Sequence, residues 1–169
     1  MAEKEIKISV RNFVEFMLRS GDIDNRRRVS SENAMVEGGR IHRMIQRRMG
    51  SEYEAEVFLK YTEETLKFRL IIDGRADGII TTDHVTIDEI KGTYRDLEKI
   101  KEPEPVHLAQ AKVYAYIYGK QKLLEHICVR MTYCNSAAPA GTFAYSAACM
   151  VNEPRIRISS FKSPQAFAK

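Results

Sequence analysis

The sequence predicts an α/β fold with a central mixed β-sheet flanked by helices, and three observations carry that expectation. Apolar residues recur at helical spacing near the N-terminus, the middle of the chain alternates with period two, and a proline-initiated helical stretch separates that middle from a last apolar strand. Strands joined by short polar turns form an antiparallel meander, whereas a strand reached through a helix suits a parallel pairing. At 169 residues with 44% apolar content, the chain has enough apolar surface to close one core, so a single domain over residues 1–169 is expected.

Ser9 offers a side-chain acceptor at the start of a first helix. Val10, Phe13, Val14, Met17 and Leu18 follow at helical spacing, and Gly21 is the expected stop. A second helix is expected over "SSENAMVEGGRIHRMIQRRMG", with Met35, Ile41, Met44, Ile45 and Met49 as its apolar residues and Gly50 at its end. Gly38 and Gly39 weaken its centre. From Glu54 the period becomes two, and "AEVFLKYT", "LKFRLIIDG", "RADGIITTD" and "HVTIDEIKG" are expected as four successive strands. Pro105 suits the first turn of a third helix running to Gly119, and "HICVRMTYC" is the closing strand. The core of the fold is therefore expected over about residues 9–134.

A net charge of +4 permits a polyanionic partner without requiring one. Three cysteines at wide spacing, Cys128, Cys134 and Cys149, with no signal peptide ahead of them, point to a reducing compartment and a cytoplasmic protein, with the thiols as small buried groups. Met131 to Asn152 carries no charge, but Asn135, Pro139 and Gly141 break it, so no membrane span is expected. The segment "CNSAAPAGTFAYSAACMVN" departs in composition from everything before it. Residues 135–169 are atypical, either a buried strand with loops or a tail foreign to the packed fold.

Carboxylates are poor strand formers and costly to bury unpaired, so the acids of "LIIDGRADGIITTDHVTIDEIKG" call for a reason. Alternation puts Glu89 and Lys91 on one sheet face and Asp88 and Ile90 on the other, while a turn through Asp83 and His84 can bring Asp77 beside Glu89. Two convergent carboxylates suit a hard divalent cation, Mg²⁺ or Mn²⁺, with an ammonium beside them for transition-state charge. A surface salt bridge between Glu89 and Lys91 satisfies the same spacing. His42 lies four residues after Gly38 on one helix face, and Gln110 and Tyr114 are likewise four apart.

In their order, Gly38 to His42 (GxxxH), Gly74 to Asp77 (GxxD), Glu89 to Lys91 (ExK) and Gln110 to Tyr114 (QxxxY) resemble the motifs of the RecB-like branch of the PD-(D/E)XK nuclease superfamily. The resemblance implies a restriction-endonuclease-like fold and a divalent-metal-dependent DNA nuclease, an exonuclease acting on single-stranded ends. It implies that His42, Asp77, Glu89 and the backbone carbonyl of Ile90 hold the metal, that Lys91 is the catalytic lysine, and that Gln110 and Tyr114 position the DNA strand. It leaves Asp73, Asp83 and Asp88 as turn or solvent-facing residues. With no cysteine before Cys128, the chain departs from the branches that carry an iron-sulfur cluster, and none is expected. The likeness is to cluster-free modules fused to DinG-type helicases, whose acidic terminal helix is missing here. A module of that kind that docks nucleic acid for a larger helicase without turnover is the rival reading. Arg26, Arg27 and Arg28, and the stripe of Arg40, Arg43 and Arg47 beside His42, are expected to contact phosphates without reading sequence.

Overall fold

Ser9 ends one element and starts the next: in extended conformation (φ −71°, ψ 152°), it accepts the Asn12 backbone N–H on its side chain at 3.1 Å. The first helix forms there for the capping reason the sequence supplies. A computed structural model describes residues 4–18, 31–135 and 156–157 of the chain. Its elements are β1 (Lys4–Ser9), α1 (Val10–Met17), α2 (Ser31–Gln46), β2 (Tyr53–Glu64), β3 (Phe68–Thr81), β4 (Val85–Thr93), α3 (Pro105–Lys122), β5 (His126–Asn135) and β6 (Ile156–Arg157). Among the described residues, no helix is long and apolar enough to cross a membrane.

All strands belong to one mixed sheet. β2, β3 and β4 form the expected antiparallel meander, and β5, reached through α3, pairs parallel with β4 from Thr86↔Cys128 to Thr93↔Asn135. Four differences from the sequence reading stand out. β1 was not anticipated: its Ile6 and Ile8 alternate too briefly to signal a strand alone, and the element exists because β3 offers an edge for parallel pairing, Lys4↔Phe68 to Ser9↔Asp73. The two middle strands expected on either side of Gly74 are one continuous strand, since Gly74 is no turn but a clearance. A Cβ on it would meet the Tyr114 hydroxyl at 2.6 Å. α2 ends at Gln46, short of Gly50. α3 runs past Gly119, which is buried, and is closed by Leu123 in the left-handed region (φ 53°). Gly21, Arg26, Arg27, Arg28 and Cys149, with the segment "TFAYSAACMV", lie outside the described residues, where only Ile156–Arg157 of the tail is placed, antiparallel to the start of β5.

Helices cover both faces. On one, Val10 and Val14 of α1 and Ala111, Ala115 and Ile117 of α3 pack on Ile72, Ile79, Ile87, Val129 and Met131. On the other, Ile41 and Ile45 of α2 pack on Ile90 and Cys134, with Met44 and Met49 at the margin. Burying an isoleucine fully contributes about 2–3 kcal/mol, so Ile41 and Ile45, both at most 2% exposed, are what dock α2 and with it His42.

Candidate metal centre

The site begins with a fork in the sheet. β2 runs along one edge of β3, so β1 and β4 must share the other: β1 ends opposite Asp73 and β4 begins pairing only at Gly78↔Asp88. Between those points, Gly74 to Asp77 have no strand partner on that edge among the described residues. Asp77 closes the gap with its side chain, its Oδ2 accepting the Ile90 backbone N–H at 2.7 Å. Side-chain alternation also slips here, because Ala76 and Ile79, three residues apart, both face the larger core. The carboxylate of Asp77 thereby projects into the fork, close to β4.

α2 adds His42. Its Nε2 donates to the Ile90 carbonyl at 3.0 Å, and its Nδ1 lies 3.3 Å from Asp77 Oδ1 and 4.0 Å from Glu56 Oε1. Both ring nitrogens thus face oxygen acceptors, so the imidazole sits in surroundings electron-rich enough for a cation. One turn on, Gln46 Nε2 donates to the Asp77 carbonyl (3.0 Å) and to Glu56 Oε1 (3.1 Å), tying α2 to β3 and β2 at once.

β4 supplies Glu89 and Lys91 on one face as the alternation requires. Lys91 Nζ donates to Glu89 Oε1 at 2.6 Å. This pair is not a surface bridge, since Glu89 is only 3% exposed. Its second oxygen, Oε2, is buried with no hydrogen-bond partner among the described residues. Burial, and then the neighbouring charge of Asp77, pushes the Glu89 carboxyl up to about 7 despite Lys91. Burial also raises Asp77, against the pull of His42, Lys91 and the Ile90 N–H. A buried carboxylate oxygen without a partner among the described residues and two carboxyls raised by burial form surroundings that a cation would stabilise. Oxygen donors from Asp77 and Ile90 with one imidazole fit a hard divalent cation: ligands at about 2.1 Å in octahedral array stand about 3 Å apart, comparable to the contacts around His42. Glu89 is not among the donor atoms that converge there.

A cleft of about 330 Å³ opens over His42 and Lys91, lined also by Arg11, Glu37, Tyr94, His107 and Gln110. The QxxxY pair divides here. Gln110 lines the cleft, but Tyr114 turns into the sheet, 7% exposed, its hydroxyl over Gly74 and hydrogen-bonded by the Arg75 backbone. Burial, with the charges of Glu89 and Asp77, raises that phenol far above its usual range. The arginine stripe does not line the cleft either. Arg40 is bound to Glu37 (2.6 Å), and Arg43 lies along Gly39. Arg47 lies beyond the end of α2. At 100° per residue, positions 40 and 43 point at least a quarter-turn away from His42. Arg11 of α1 is the guanidinium at the cleft.

Three other acids behave differently from one another. Asp83 is exposed in the turn, as expected. Asp73 is paired with Lys7 at 3.0 Å within the sheet. Asp88, expected to face solvent, is 0% exposed: Arg130 binds it from Nε (2.9 Å) and Nη2 (2.7 Å), Thr132 donates at 2.6 Å and Tyr53 at 3.1 Å. Only the parallel pairing of β4 with β5, which sets Asp88 opposite Arg130, creates that network. Glu56 was likewise missed, since in "AEVFLKYT" it is one polar position of an ordinary alternation. Cys134 is buried and Cys128 partly so, both as free thiols.

No protein-family model matches the chain, and no curated protein matches its sequence. Among solved structures it is similar to the crystal structure of SSO0001, with a TM-score of 0.55 and 19% identity over 85% of this chain and 67% of that one. At that identity the likeness establishes the fold alone.

Proposed function

We propose that this chain is a divalent-metal-dependent deoxyribonuclease of the RecB-like PD-(D/E)XK type, hydrolysing phosphodiester bonds at single-stranded DNA ends. One observation carries the reading: at the fork between β3 and β4, His42 of α2 meets Asp77 of β3 and the Ile90 carbonyl of β4, and Ile90 is flanked on its own strand by the Glu89–Lys91 pair, whose Glu89 Oε2 is buried without a partner among the described residues. His42, Asp77, Glu89 and Ile90 would hold Mg²⁺ or Mn²⁺, which supplies Lewis-acid polarisation of the phosphoryl group when bound. The remaining work falls to the chain itself. Lys91, held by Glu89 and open to the cleft, stabilises the negative charge that grows on the phosphoryl oxygens during in-line attack by water. Gln110, the adjacent His107 and Arg11 line the same cleft and orient the strand through its phosphates. Tyr114 supports the site from beneath by filling the space over Gly74.

The test is cleavage of end-labelled single-stranded DNA with Mn²⁺ or EDTA, using wild type and Lys91→Ala. Cleavage that needs Mn²⁺, with at least a hundredfold loss in Lys91→Ala at retained Mn²⁺ affinity, supports the enzyme. DNA binding in EDTA with no cleavage under any metal assigns the chain instead to a docking module.

A further inference from the structure

Glu56 has no role in the reading above, yet its backbone is the most unusual in the sheet. At φ 55° it occupies the left-handed region inside β2, a conformation unfavourable for a residue bearing a Cβ. The register is continuous on either side, Ala55↔Gly78 and Val57↔Ala76, so Glu56 stands directly across from Asp77, where β3 also breaks alternation. The reversal at 56 is what aims its side chain at the fork. Donor atoms of His42, Glu56 and Asp77 lie within 4.8 Å of one another, and Gln46 holds the Glu56 carboxylate from the same amide that binds the Asp77 carbonyl. Among the described residues no lysine or arginine pairs with the Glu56 carboxylate; Arg75 reaches only the Glu56 backbone carbonyl, at 3.4 Å. Independently, Glu89 on β4, the strand whose Ile90 N–H binds Asp77, has a buried Oε2 with no hydrogen-bond partner among the described residues.

We propose that Glu56 is a direct carboxylate ligand of the divalent cation, beside His42 and Asp77. The inference rests on the metal-centre reading above and extends it to a strand outside the four motifs. Charge supports it: the Glu56 and Asp77 carboxylates bring two formal negative charges to one place, which one divalent ion balances. Glu56 is about half exposed and approaches from the solvent side, whereas Glu89 approaches from the core.

The experiment is Mn²⁺ binding by the full chain, followed through the paramagnetic resonance signal of free Mn²⁺, with metal-free melting temperatures for the same samples. Glu56→Gln keeps the acceptor for Gln46 but not the charge. It should weaken Mn²⁺ binding at least tenfold with no loss of metal-free stability. Glu56→Gly, free to adopt a positive φ, should raise the metal-free melting temperature by several degrees and weaken Mn²⁺ binding similarly. Binding within twofold of wild type in both variants overturns the role of Glu56 while leaving the nuclease reading standing. Absence of Mn²⁺ binding in the wild type overturns both.

Discussion

Replacing Glu89 by glutamine should make the metal-free protein more stable at neutral pH. The folded chain holds this carboxyl at about 7 against an ordinary 4.5, so between those values the native state keeps a proton that the unfolded chain releases. Stability then falls as pH rises through that window, by about 1.4 kcal/mol per unit. The accumulated loss is roughly 3 kcal/mol at pH 8, in full above the folded value and absent below the unfolded one. Glutamine keeps the shape and an acceptor for Lys91 but carries no charge, so it removes most of that loss. For a chain of this size the gain corresponds to a melting temperature higher by about 6–10 °C at pH 8. The assay is thermal unfolding in EDTA at pH 5 and pH 8. Wild type should lose stability between them, and Glu89→Gln should lose markedly less. Adding Mn²⁺ at pH 8 should raise the melting temperature of wild type and leave Glu89→Gln nearly unmoved. Parallel pH dependences for the two proteins would refute the raised Glu89 carboxyl, and with it the argument from its buried Oε2.

Asp88→Ala strands Arg130 without its buried partner and should cost about 3–5 kcal/mol, read from the urea midpoint; a cost under about 1 kcal/mol would show the network to be dispensable. Tyr114→Phe should lower stability by about 1 kcal/mol and leave the single-turnover cleavage rate unchanged, whereas Gln110→Ala should slow cleavage about tenfold at constant melting temperature. The opposite pattern would return Tyr114 to the substrate. Gly74→Ala places a Cβ 2.6 Å from the Tyr114 oxygen and should destabilise by about 1–3 kcal/mol, with part of the loss recovered in the Gly74→Ala, Tyr114→Phe double variant. Additive losses in that cycle would mean the two residues do not compete for the same space.

What the sequence determined by itself is what local chemistry determines. Ser9 caps α1 because its hydroxyl reaches an N–H three residues on, and Glu89 and Lys91 share a face because a strand repeats every two residues. The meander and the crossover to a parallel β5 follow from periodicities and turn signals along the chain, whereas the place of His42 beside Asp77 was anticipated only through the resemblance of their motifs. Long-range pairing decided the rest. Whether Gly74 turns the chain or makes room in a strand depends on Tyr114, forty residues away. Asp88 is solvent-facing on the pattern of its own strand and fully buried once β5 brings Arg130 beside it. Glu56 is an ordinary strand residue until β3 forks opposite it and its backbone reverses, and Arg40, Arg43 and Arg47 looked like a wall of the site until Ile41 and Ile45 fixed which side of α2 faces the sheet. In each case the sequence names the functional group, while the direction in which that group points is set by partners that only the folded chain brings within reach.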